Sequence, residues 1–128
     1  FIGLSDADVL SADQVKKMAD NPIIFALANP KPEIDPAVAH EAGVQVVATG
    51  SSQYPNQVNN ILVFPGLYKG LLATDLNKVD FGLEKAIAHG IASLVPEPTA
   101  DRFVPGVFDD GVVDTVAQAV KDYAASKK

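Results

Sequence analysis

The sequence predicts an α/β fold built on a parallel sheet, and two observations carry that expectation. Short apolar, β-branched runs recur at residues 23–28 and 44–49, and each is followed by small or polar turn residues. Ahead of and between them lie segments with the start and stop signals of helices, so strand and helix alternate. Such alternation builds parallel sheets with right-handed crossovers.

Each element has its own local reason. Phe1-Ile2-Gly3 has no initiator Met and sets apolar side chains at the very start, as the end of a strand with its beginning missing would; the expectation is a chain cut from a longer one. Ser11-Ala12-Asp13-Gln14 has the Ser-x-x-Gln pattern of a capping box and opens a helix through about Ala19. From Pro22 to Ala28 the run Ile23-Ile24-Phe25-Ala26-Leu27-Ala28 suits a strand buried on both faces. Asp35 is a good N-cap, Pro36 fits a first helical position, and Gly43 supplies the stop for a helix over residues 36–42. Residues 44–49 are the next strand.

Beyond the third strand the pattern turns helical. Residues 59–74 carry apolar side chains at helical spacing, interrupted by Pro65-Gly66, where proline is expected to kink the helix. Residues 77–94 form the longest helical stretch, with Val79, Leu83, Ile87 and Ile91 on one stripe. Residues 96–109 read as an irregular loop, and Asp110 can cap a last amphipathic helix through about Ala125.

Composition bounds what such a fold can do. At 128 residues, 48% hydrophobic and 20% charged, the chain suits one domain with one core. Ten Lys plus Arg against 16 Asp plus Glu leave a formal charge of -6, which repels phosphate backbones and anionic lipid. Nucleic acid and membranes are therefore poor partners. There is no cysteine, which removes disulfides, zinc–thiolate clusters and thiol nucleophiles, and fits a reducing, cytoplasmic setting. No apolar run approaches the roughly 20 residues of a membrane helix.

Open parallel sheets bind ligands outside the carboxyl ends of their strands. Those ends lead here into Gly3-Leu4-Ser5, Asn29-Pro30 and Gly50-Ser51-Ser52, residues able to approach or hydrogen-bond a ligand, although tight turns also require such residues. Asn59-Asn60 opens an apolar helical segment, where an amide can cap the helix or donate to an anion. His40 and His89 have no partners at triad or ligand spacing and read as structural or surface residues, and Asp109-Asp110 reads as a solvated helix start. No Gly-x-Gly-x-x-Gly or Walker sequence is present.

Three stretches together carry a resemblance: Phe1-Ile2-Gly3-Leu4-Ser5, then Pro22 through Pro30 (Pro-Ile-Ile-Phe-Ala-Leu-Ala-Asn-Pro), then Tyr54 through Gly66 (Tyr-Pro-Asn-Gln-Val-Asn-Asn-Ile-Leu-Val-Phe-Pro-Gly). The chain resembles malic enzymes of the short bacterial type over essentially its whole length, with Gly106-Val107 the least typical part of the terminal segment. The resemblance implies an α/β fold, a partial Rossmann-like parallel sheet flanked by helices, with C-terminal helices. In that reading residues 1–128 are the C-terminal portion of an NAD(P)-binding domain whose upstream part is absent.

The activity it implies is oxidation of (S)-malate with NAD or NADP, followed by decarboxylation to pyruvate and carbon dioxide, in an enzyme that is commonly a homo-oligomer. A divalent metal, Mg or Mn, would be bound by the upstream part, which also holds the catalytic Lys and Tyr. The fragment alone is expected to be inactive. Carried over by residue, Gly3, Ser5, Asn29 and Gly50 lie along the cofactor, and Asn29, Asn59 and Asn60 contact the substrate. Consecutive helical residues point about 100° apart, so Asn59 and Asn60 are not expected to contact it equally. Alternatives are a soluble oxaloacetate decarboxylase of similar scaffold and a stand-alone nucleotide-binding or regulatory module.

Overall fold

The apolar runs form strands where the pattern places them, though shorter than the runs themselves. In the computed structural model, which describes residues 1–127, β1 (Ile2–Gly3), β2 (Ile23–Ala26) and β3 (Val46–Thr49) make one parallel sheet in the order β1-β2-β3. Gly3 pairs with Ala26 and Ala26 with Thr49, so the three strands end level with one another. Their following turns therefore start from one edge of the sheet.

Where composition suggests a single core, the residues form two compact units, each with its own. The first comprises Phe1–Val58 and Thr99–Phe103. Its helices are α1 (Ala12–Val15) and α2 (Pro36–Glu41). Ile24 and Ala26 of β2 face a cluster with Leu10, Val15, Ile34, Ala39, Val44 and Val47. Their neighbour Phe25 stacks on Phe103 with ring centroids 5.9 Å apart. Burial on both faces holds only for part of β2, since Ile23 stays 54% exposed.

The expected caps are present. Ser11 and Gln14 satisfy each other's backbone N–H groups, Gln14 Oε1 accepting from Ser11 at 2.8 Å. The helix they open stops at Val15 and not near Ala19, because bonds from Lys17 to Gln14 and from Met18 to Val15 tighten the chain and turn Met18 onto the core. Asp35 caps α2 through the Ala37 N–H at 2.8 Å, with Pro36 in its first turn. Gly43, at φ +99°, takes the left-handed conformation that ends it.

The second unit, residues 59–98 and 104 onward, is helical. A short 3₁₀ turn (Asn60–Leu62) leads into α3 (Phe64–Leu72), followed by α4 (Phe81–Ser93) and α5 (Val112–Ser126). Three expectations are corrected here. Pro65 does not kink a continuous helix; it lies in the first turn of α3, where its missing N–H has no intrahelical partner to lose. The α4 stripe begins at Leu83 and not at Val79, because Asp80 accepts the Leu83 N–H at 3.0 Å and starts the helix after Val79. Asp110 does not cap α5: Gly111, at φ +86°, is the N-cap residue, while Asp109 accepts from the Gly106 N–H at 2.9 Å.

The core of this unit is Leu67, Leu83, Ile87, Val116 and Val120. Two glycines set its spacing. A Cβ at Gly66 would lie 2.5 Å from Val116 Cβ, and one at Gly70 would lie 2.5 Å from Val120 Cβ, so α3 and α5 meet through Gly-x-x-x-Gly. Among the described residues no helix is long and apolar enough to cross a membrane.

Candidate cofactor site at the strand ends

The level strand ends bring four sequence candidates to one edge of the first unit: Gly3 and Ser5 around Glu33, and Gly50 against Asn29. Gly3 ends β1 and is buried; a Cβ there would lie 2.5 Å from Glu33 Cδ, so the absent side chain makes room for the Glu33 carboxylate. That carboxylate is 0% exposed. Its Oε1 accepts the Ser5 N–H at 2.8 Å and the Ser5 hydroxyl at 3.4 Å, and its Oε2 accepts the Ala28 N–H at 3.0 Å. Burial is the largest influence on Glu33 and pushes its pKa up. The backbone donors at Ser5, Ala28 and Glu33 itself, with the Ser5 hydroxyl, outweigh it and hold the group below the ordinary value as a carboxylate.

Asn29 follows Ala28 directly, is exposed, and joins Pro30 through a cis peptide bond. Its amide lies over Gly50: a Cβ at Gly50 would stand 2.7 Å from Asn29 Nδ2 and 2.9 Å from Leu27 O. Gly3 thus leaves room for the Glu33 carboxylate and Gly50 for the Asn29 amide. The turn after β3 is held by its own polar groups. Thr49 Oγ1 accepts from the Ser51 N–H and donates to the Ser51 carbonyl, both at 3.3 Å, and the Gln57 amide donates to the Gly50 carbonyl at 3.3 Å.

Two further side chains brace this edge. Asn56, buried and at φ +55°, donates to the Ala100 carbonyl at 3.0 Å and accepts the Phe103 N–H at 2.9 Å, which ties residues 99–103 to the turn. The Tyr54 hydroxyl donates to Asp35 at 3.3 Å; burial and then the Asp35 charge push its pKa up.

Asn59 and Asn60 belong to the second unit. Asn59 is the cap of the 3₁₀ turn, its Oδ1 accepting the Ile61 N–H at 3.0 Å, whereas Asn60 is exposed as the first residue of that turn. The histidines are structural or superficial, as expected: His40 Nδ1 bonds the Val44 carbonyl at 2.8 Å, and His89 is exposed on α4. Among the described residues no three His, Cys, Asp or Glu side chains converge as metal donors. The described residues do not by themselves fit a metal.

Sequence reasoning missed Glu33 and Asn56. The signal for Glu33 is an acidic residue set between Pro32 and Ile34, both buried, just after an apolar strand. Asn56 leaves none in its own neighbourhood, because its amide bonds to Ala100 and Phe103, 44 and 47 residues further along the chain.

A parallel sheet that gathers glycines, an exposed amide and hydrogen-bonded turns at its strand ends places the first unit in the Rossmann-like α/β class, whose ligands lie at that edge. The chain belongs to the malic enzyme family: the profile described as malic enzyme, NAD binding domain, matches residues 1–125. It is 48% identical over 122 residues to the bifunctional malic/malolactic enzyme of Bacillus subtilis, covering 94% of this chain and 30% of that protein. It is 47% identical over 126 residues to the NAD-dependent malic enzyme of Geobacillus stearothermophilus, covering 97% of this chain and 26% of the relative. The crystal structure of malic enzyme from Pyrococcus horikoshii superposes with a TM-score of 0.93 at 38% identity, over 98% of this chain and 30% of that one. The chain thus spans about a third or less of the length of these relatives.

Proposed function

We propose that this chain is the C-terminal portion of the NAD(P)-binding domain of an enzyme that oxidises and decarboxylates (S)-malate. The observation that carries the reading is the level edge of the sheet, where Ser5 and Asn29 leave two adjacent strand ends tied together by Glu33. In that reading Ser5 and Asn29 face the cofactor, with Gly3 and Gly50 shaping their turns, and Asn29 reaches the place where nicotinamide and malate meet. A positioned amide there donates to oxygen atoms of the substrate and holds the C2 hydrogen toward the ring. Asn59 and Asn60 are the amides assigned to the substrate carboxylate; the Oδ1 of Asn59 caps the 3₁₀ turn, and an amide of either residue has an NH₂ group to donate.

The divalent metal, the proton-moving Lys and Tyr, and the residue that reads the cofactor ribose belong to upstream sequence in this reading. The same likeness supports a cytoplasmic homo-oligomer. The test is direct: the longer protein carrying this segment should reduce NAD or NADP when given malate with Mg²⁺ or Mn²⁺, and the 128-residue chain should not. Release of carbon dioxide from oxaloacetate without cofactor reduction on malate would favour a decarboxylase. Nucleotide binding without either reaction would favour a binding module.

A further inference from the structure

Glu33 ties the two strand ends together without being assigned to cofactor or substrate, and it is costly to bury. A carboxylate removed from water is paid for only by strong partners, and among the described residues no Lys or Arg pairs with this one. Its partners are the backbone N–H groups of Ser5 and Ala28 and the Ser5 hydroxyl. Those two N–H groups leave neighbouring strands that run parallel and end level, and beyond the ladder they need an acceptor. A carboxylate has acceptors on both oxygens at a fixed separation, so one side chain serves both turns.

We propose that Glu33 is a positioning residue for the cofactor site: it clamps the turns after β1 and β2 to each other, and thereby sets Ser5 and Asn29 in their working placement. The proposal rests on the NAD(P)-binding reading above. Gly3 fits the same role, because any side chain there would drive the carboxylate out of the clamp. The residue type matters as much as its volume. A glutamine has nearly the same shape but offers oxygen to one turn and an NH₂ group to the other, where it meets a second donor.

The experiment uses Glu33→Gln and Glu33→Asp in the longer protein that carries this segment, with NAD+ and NADP+ as titrants. Glutamine satisfies one turn, and aspartate keeps the charge but is one methylene too short to reach both. Each should weaken nucleotide binding and raise the cofactor KM by about tenfold or more, the size expected when a buried donor loses its acceptor. At saturating cofactor kcat/KM for malate should fall as well, by less than in Asn29→Ala, because the clamp also places Asn29. A lowered melting temperature with unchanged cofactor affinity would make Glu33 a fold residue only and overturn the proposal.

Amide exchange in the unsubstituted protein decides the matter even where both variants fail to fold. The Ser5 and Ala28 N–H groups should exchange slowly before any nucleotide is added, and fast exchange at either overturns the clamp. If the unsubstituted protein binds neither NAD+ nor NADP+, the cofactor reading itself fails. If it binds and both variants bind equally well, only the role of Glu33 fails.

Discussion

The strand-end edge of the first unit and the helical second unit use the same device for opposite ends. In both, glycine lets another group approach closer than a Cβ would allow. At Gly3 and Gly50 the space is taken by a carboxylate and an amide, whereas at Gly66 and Gly70 it is taken by Val116 and Val120. The polar pair shapes a surface to which a ligand can be fitted, and the apolar pair draws two helices together. Glycine inside a helix costs about 1 kcal/mol against alanine, so α3 tolerates two such costs for close packing on α5. The strand-end glycines lie outside helices, at the end of β1 and in the turn after β3. A glycine is therefore informative through what occupies the space beside it.

The largest expected effect tests the polar side of this contrast. In the longer protein, Asn29→Ala should lower kcat/KM for malate by on the order of 10², the usual size for a positioned polar group lost from a water-poor site. Its melting temperature should hardly move, since Asn29 is exposed. Gly50→Ala should reproduce part of this loss by displacing the Asn29 amide, and it should add little when Asn29 is already alanine. Fully additive effects would mean that the two residues act separately.

The apolar side should respond in stability. Gly70→Ala places a methyl group 2.5 Å from Val120 Cβ, and overpacking of that kind costs about 1–3 kcal/mol. Urea unfolding would measure it, and a companion Val120→Ala change should recover part of the cost. If Gly70→Ala instead stabilises the protein, helix propensity outweighs the close approach and the contrast between the two units breaks.

The smallest effect is in acid, and it applies to both units. Glu33 is held below its ordinary pKa of 4.5, so its contribution is full above that value and is lost as pH falls through the lower folded value. Asp80 is held below 3.8, first by the Tyr123 hydroxyl at 2.5 Å and then by the Leu83 N–H, and its contribution to the α4 cap fades below that value in the same sense. Melting temperature against pH should therefore be flat above about pH 5 and fall below about pH 4. Asp80→Asn should flatten part of the fall, and a drop beginning near neutrality would point to other groups.

What the sequence by itself determined was whatever is decided within a few residues. The Ser11–Gln14 box, the Asp35-Pro36 start and the left-handed stop at Gly43 act across one helical turn, and all are legible in the chain itself. The three strand runs and the small residues at their ends were legible for the same reason, as was the family through its contiguous stretches. Local reading failed at the head of α5, where Gly111 and not Asp110 is the cap residue, and at Pro65, which lies in a first helical turn and not inside a helix. Only the tertiary structure decided that the chain closes around two cores, that Glu33 spans the turn of Ser5, 28 residues away, and that Gly66 and Gly70 exist for α5. A cap declares both its partners within four positions of the chain, whereas a buried acceptor or a close helix approach has its partner elsewhere, and nothing in the neighbouring residues records it.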